Sequence, residues 1–287
     1  MVELAVRPRG PYSLALSARL AGDETRRFRD GIVTARCADG VAHARQAPDG
    51  EIAIRASSEE AAAKLRWMLA LDDDHSEFLR RFEGNALLGR SVRLLRGLRQ
   101  VRTATVAHAL LRAVCGQLVD WKTARTLERR VIRTLGSREE DVTVAATGLW
   151  KPLTAVDIGA AAPAELRRVG LHERRAAALV RLCRTLDLEQ LHGHTTPAVV
   201  ARLARERGLG PWSAGVVCLE GLGRTEHGLV GDLGLVKLLR ELRGRPVEDW
   251  ETAELLEPYG EWAGLASVYL LAGLGRGLVP LRRARAA

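Results

Sequence analysis

The residues best suited to chemistry lie in two short stretches of the C-terminal third. In Arg207-Gly208-Leu209-Gly210-Pro211-Trp212-Ser213-Ala214-Gly215, Gly208 can end one helix on a left-handed residue and Gly210 permits a sharp turn. Pro211 then opens a second helix where its missing N–H costs nothing, and Trp212, Val216, Leu219 and Gly223 follow at helical spacing. A short turn between helices leaves bare backbone N–H groups at a helix start, which suits an anion such as a DNA phosphate, held without regard to base sequence. A plain helical hairpin tightened by glycines fits the same residues. The second stretch, Gly231-Asp232-Leu233-Gly234-Leu235-Val236-Lys237, puts a carboxylate at the start of an amphipathic helix. There Asp232 either caps the helix, a role worth about 0.5–2 kcal/mol, or serves as a fixed anion.

Other candidates carry less. Asp72-Asp73-Asp74 has no second cluster of metal ligands and reads as turn and cap residues, and His192 and His194 read as solvated loop histidines. Cys37, Cys115, Cys183 and Cys218 are far apart, with no close pair to bind a metal and no pattern of a disulfide framework; they are expected as free, mostly core, thiols.

Taken together, the two stretches resemble the helix-hairpin-helix DNA glycosylase superfamily, in which a Gly-hydrophobic-Gly hairpin precedes an aspartate at a helix start. Among its branches the likeness is to the AlkA-like 3-methyladenine DNA glycosylases, through Gly208, Gly210, Trp212, Ser213, Ala214, Asp232 and Lys237. Ala113-Val114-Cys115-Gly116-Gln117-Leu118 resembles the segment that this family wedges into DNA, and Tyr259 to Leu271 its closing helix, with Trp262 and Ala266 in register.

The resemblance implies Asp232 as the catalytic carboxylate, stabilising the positive charge that builds on the sugar as the base–sugar bond breaks. It implies Gly208, Gly210, Ser213 and Lys237 as DNA-backbone contacts, Leu118 as the wedge that replaces a flipped base, and Gln117 as a contact to the opposite strand. Trp212, Val216, Leu233 and Leu271 would line the base pocket. Val216, Leu233 and Leu271 stand where better-known relatives carry aromatic residues; Trp121, Trp150, Tyr259 and Tyr269 are candidates to compensate. Bifunctional members have a lysine where this chain has Trp212, so a monofunctional hydrolase without lyase activity is expected. The compact C-terminal cysteine cluster of iron–sulfur relatives is absent, so no cofactor is expected beyond a monovalent cation on the hairpin's backbone carbonyls. Alkylated purines in duplex DNA are the first substrate choice. Deaminated or mismatched bases on the same scaffold, or a DNA-binding module without chemistry, are the alternatives.

Composition agrees without deciding. The 287 residues carry a net charge of +9, which suits a polyanion, but only Lys64, Lys122, Lys151 and Lys237 are lysines, and an arginine-rich codon bias produces the same excess. No run of eighteen apolar residues exists to span a membrane, and Met1 to Gly10 has no apolar stretch of a secretory leader; a cytoplasmic, nucleoid-associated monomer is expected.

The elements that must position these residues fall into two parts, an α+β organisation. Residues 1–84 are expected to form a small antiparallel sheet domain. Its strands are predicted over the alternating Tyr12 to Leu20, over Phe28 to Cys37, Val41 to Gln46 and Glu51 to Ala56, with turns at Asp39-Gly40 and Asp49-Gly50 and a helix from Ser58 to about Leu71. Residues 85–287 are expected to be helical. Thr105 caps one helix; a second runs from Trp121 to Gly136, others cover about 163–169 and 173–186, and Thr196, followed by Pro197, is expected to cap the next. The DNA cleft is expected between two helical lobes.

Overall fold

A computed structural model describes residues 1–19, 21–38, 40–137 and 147–281. The N-terminal sheet is antiparallel, in the order β1-β5-β4-β3-β2, formed by Val2–Val6, Arg26–Arg29, Ile32–Cys37, Gly40–Gln46 and Ile52–Ala56 (β1 to β5). Its inward residues, such as Val33, Ala35, Ala42, Ala44, Ile52 and Ile54, pack against Ala61, Leu65 and Met68 of the covering helix.

Two sequence expectations fail in this domain. Leu14–Ala18 is a helical turn (α1), not a strand: Ser13 accepts the Leu16 amide, and Leu14, Ser17 and Ala18 are buried at helical spacing. A five-residue apolar pattern satisfies either period, and the cap decides; Leu20 lies outside the described residues. The edge strand is instead β1, which pairs with β5 from Val2↔Ala56 to Val6↔Ile52. The run Phe28 to Cys37 is also not one strand. Asp30 and Gly31 both have positive φ, at 52° and 76°, and fold it into the β2–β3 hairpin. Val41–Gln46 and Ile52–Ala56 are strands as expected; Asp39, the predicted turn residue, lies outside the described residues.

Next come Glu59–Met68 (α2, capped by Ser58), Ser76–Phe82 (α3), Gly89–Leu94 (α4), Val106–Gly116 (α5) and Trp121–Leu135 (α6). Ala155–Ala160 (α7), Pro163–Arg168 (α8), Glu173–Thr185 (α9) and Thr196–Ala204 (α10) follow. The last group is Pro211–Val216 (α11), Leu233–Arg243 (α12), Thr252–Leu256 (α13) and Ala263–Leu274 (α14). Thr105 caps α5 as expected, while α10 is preceded by Thr195 rather than capped by Thr196.

Two cores lie within the helical region. One joins α5 to α10 through residues such as Leu110, Val114, Val131, Ile132, Leu179 and Val199. The other joins α3, α4 and α12 to α14 through Phe78, Leu88, Leu235, Leu238, Tyr269 and Leu270. α11 belongs to both. Ala214 and, just beyond it, Val217 and Cys218 face the first core, while Val216 and Leu219 face the second. A helix that is apolar all round is a buried central element, and its two ends therefore sit at the seam between lobes. All four cysteines are free and buried, and burial raises the Cys115, Cys183 and Cys218 thiols.

A buried ionic cluster ties the sheet domain to the first lobe. The Arg112 guanidinium donates to Asp23 at 2.6 Å, to Glu128 at 2.8 Å and to Glu220, and His108 Nε2 meets Glu128 at 2.8 Å. Asp72 to Asp74 are also held structurally: Asp72 by Arg66, Asp73 by Arg102, and Asp74 by accepting the Ser76 amide.

Candidate active site

At the seam between the two lobes lies a cavity of about 1230 Å³, and the segments singled out from sequence converge on it. Asp232 is the N-cap of α12: its Oδ1 accepts the Gly234 amide at 2.8 Å and the Leu235 amide at 3.4 Å. Its second oxygen, Oδ2, accepts the indole N–H of Trp212 at 3.0 Å. The two roles left open by the sequence are thus compatible, because one oxygen caps the helix while the other faces the cavity wall. Gly231, at φ 86°, turns the chain into this position, and its amide donates to Thr252 Oγ1 at 2.7 Å.

Trp212 is pinned from behind. A Cβ on Gly116 would lie 2.6 Å from its Cη2, so the C-terminal end of α5 must be glycine for the indole to reach Asp232. Gly116→Ala is expected to destabilise the protein by about 1–3 kcal/mol through this overpacking, measured by urea unfolding. It also pushes the indole off the carboxylate; an unchanged unfolding midpoint would show that the contact is not tight.

In the hairpin, Gly208 adopts φ 96° and Gly210 caps α11, with Pro211 in its first turn. Ser213 is buried, and its hydroxyl accepts from Gln117, whose Nε2 lies 3.1 Å away and also donates to the Gly208 carbonyl at 2.6 Å. Ser213 keeps its own O–H and its backbone N–H as donors, and Gln117 is turned onto the hairpin. The side chains of Arg207, Leu209 and Pro211 carry no oxygen, so a cation on the turn would rest on backbone carbonyls, of which that of Gly208 already accepts Gln117.

Leu118 does not join the core. It is 86% exposed, on a left-handed backbone with φ 55°, at the rim of the cavity. That conformation costs a non-glycine residue about 1–2 kcal/mol, and no burial of this side chain offsets it. Val216 is buried on the cavity wall, Leu271 is half-buried beside Gly234, Leu233 is exposed at the mouth, and Lys237 is exposed further along α12. Of the aromatic candidates, Trp121 stands exposed at the mouth. Trp150 packs on the first core, and Tyr259 and Tyr269 are core residues rather than pocket walls. Tyr269 donates to the carbonyls of Leu95 and Leu98, and Phe78 lies 5.2 Å from its ring.

Sequence reasoning missed the inner end of the cavity, where Arg26, Gln100, Arg112 and Glu220 are found. One clue was present: Glu220 interrupts the otherwise apolar Val216-Val217-Cys218-Leu219 run eight residues after Trp212.

With this geometry in hand, the resemblance can be set beside known proteins. The chain matches no family profile. It is 24% identical over 220 residues to a DNA-3-methyladenine glycosylase of Bacillus subtilis, covering 74% of this chain and 71% of that protein. Its fold superposes on a 3-methyladenine DNA glycosylase from Archaeoglobus fulgidus with a TM-score of 0.79 at 19% identity, over 96% of this chain and 98% of the other. An 8-oxoguanine glycosylase/lyase of Clostridium acetobutylicum, solved with double-stranded DNA, superposes with a TM-score of 0.78 at 16% identity, over 96% and 99%. The architecture, an N-terminal antiparallel sheet before a two-lobed helical region, is thus that of the helix-hairpin-helix DNA glycosylases. The sequence likeness and the fold likeness both point to that superfamily. No helix among the described residues is long and apolar enough to cross a membrane.

Proposed function

We propose that the protein is a DNA glycosylase of base excision repair that flips alkylated purines out of duplex DNA and hydrolyses the base–sugar bond with Asp232. The observation that carries this reading is the Asp232 carboxylate, fixed by a helix cap and an indole N–H at the edge of a cavity large enough for a flipped base.

In this reading DNA lies across the cleft between the two helical lobes of residues 85–287, beside the sheet domain of residues 1–84. The amides at the start of α11 and the Lys237 ammonium hold the backbone, and Leu118 fills the stack vacated by the base. A base leaving the sugar builds positive charge on it. Asp232, already oriented by Gly234, Leu235 and Trp212, stabilises that charge without reorganising and can direct the attacking water.

Trp212 stands where bifunctional relatives carry lysine, so hydrolysis leaves an intact abasic strand. Among the described residues the one lysine on the cavity is Lys237, on an exposed part of α12 five residues beyond Asp232. The deciding experiment is base release from duplex DNA treated with a methylating agent. Free methylated purines, un-nicked abasic product and no adduct trapped by borohydride are expected. A trapped adduct would replace the monofunctional reading with a lyase, and no released base at all would remove the glycosylase reading.

A further inference from the structure

The inner end of the cavity differs from its mouth, and the difference bears on which bases fit. Below Asp232 and Trp212 the walls are apolar, formed by Val216, Leu219, Val268 and Leu271. Beyond them lie Arg26, Gln100, Arg112 and Glu220. Glu220 is set there by a local departure from α-helix. Val217–Gly221 is a π turn, in which the Leu222 amide donates to the Val217 carbonyl. The Glu220 carbonyl accepts both the amide and the hydroxyl of Thr103, at 2.8 and 3.1 Å. Such turns are uncommon inside helices and recur at functional sites.

One hydrogen-bonding atom at this end is unspent. Glu220 gives Oε2 to Arg112, and its Oε1 has no partner among the described residues. Arg26, on β2 and 2% exposed, donates through Nε to the Ala21 carbonyl and through Nη1 to the Arg102 carbonyl.

We infer that this end of the cavity reads the hydrogen-bonding edge of the flipped base, with Glu220 Oε1 accepting an N–H and the neighbouring acceptor lying toward the positive charge of Arg112. The inference rests on the glycosylase reading and deepens it. The substrate class is a purine whose edge keeps an N–H next to an oxygen or nitrogen acceptor. A base whose edge is closed by an additional fused ring offers no N–H, leaves the Glu220 oxygen unpaired and is discriminated against.

The test compares two duplexes, one containing hypoxanthine, with its N1–H beside O6, and one containing 1,N6-ethenoadenine, with that edge closed. Wild type is expected to release hypoxanthine with the higher kcat/KM, by about tenfold or more. Glu220→Gln keeps an acceptor for Arg112 and is expected to lower the hypoxanthine-to-ethenoadenine ratio of kcat/KM by about tenfold. An unchanged ratio, whether both rates fall together or neither moves, overturns the inference and leaves Glu220 a support for Arg112. Should the variant not fold, the wild-type preference decides, with parity overturning the inference. A wild-type protein that releases methylpurines but neither test base also overturns it. Failure to release any base, methylpurines included, is instead the failure of the glycosylase reading, and the inference falls with it.

Discussion

Asp232→Asn is expected to bind damaged duplex DNA as wild type does and to release base at least about 100- to 1000-fold more slowly, the loss of about 2.7–4 kcal/mol seen when a preorganised electrostatic contact to a transition state is removed. The substitution is informative because of what it spares. Asparagine caps helices as well as aspartate does, so an oxygen can still accept the Gly234 amide and α12 keeps its start. The volume beside Trp212 is also unchanged. What disappears is the negative charge, which matters when the sugar becomes positive, and the acceptor for the Trp212 indole, since the amide keeps one oxygen for the cap and turns its NH2 to that N–H. Single-turnover release under saturating enzyme separates this from a binding defect, and an equal loss of DNA affinity would point to a structural role for Asp232. A variant that keeps full activity would move the chemistry to another group.

The second large effect is on stability. Arg112→Ala is expected to cost about 3–5 kcal/mol, because it strips the shared cation from carboxylates that are almost wholly buried. Burial by itself would push the Asp23 carboxyl up, yet the charges of Arg26, His108 and Arg112 bring it down to about 2. Glu128 behaves likewise: Arg112 and the His108 hydrogen bond outweigh its burial and hold it well below the usual range. Both groups therefore bind protons more weakly in the folded protein than in the unfolded chain. The stability they contribute is fully present above the ordinary carboxylate range, about pH 4, and is lost as pH falls from there through about 2. Chemical unfolding of wild type and variant at pH 7 and across pH 4 to 2 checks both statements. A loss below about 1 kcal/mol would mean that the cluster rearranges around the missing guanidinium. Since the cluster joins Asp23 of the sheet domain to α5 and α6, the variant is also expected to lose cooperativity between the two parts.

Several elements were legible because local physics decides them. The α5 start follows from the Thr105 side chain, and the 121–135 helix from a run of apolar residues at period 3.6 that ends at Gly136. Strands β4 and β5 follow from alternation between turn residues. The hairpin glycines carry the same kind of information, since the positive φ at Gly208 is available to few other residues. Where local signals were short or competing, the reading failed. Five residues at Leu14–Ala18 satisfy two periods, and only the Ser13 cap and the packing of Leu14 into the sheet domain's core choose the helix. The Asp30-Gly31 turn was visible in principle but lay inside a stretch that read as one continuous strand.

By itself the sequence determined the turn at Gly50, the starts of helices such as α5 and α6, and that one aspartate stands at a helix start beyond a glycine hairpin. These are properties of a few neighbouring residues, set by φ preferences, caps and periodicity. Tertiary structure alone decided that Asp232 faces Trp212, that Gly116 makes room for that contact, that Leu118 stays in solvent on a left-handed backbone, and that Arg26 from the first domain shares a cavity end with Glu220. The pairs among these join groups from 20 to nearly 200 residues apart in the chain. Their meeting is fixed by how two helical cores and a sheet pack against one another, and no local preference of backbone or side chain encodes that packing.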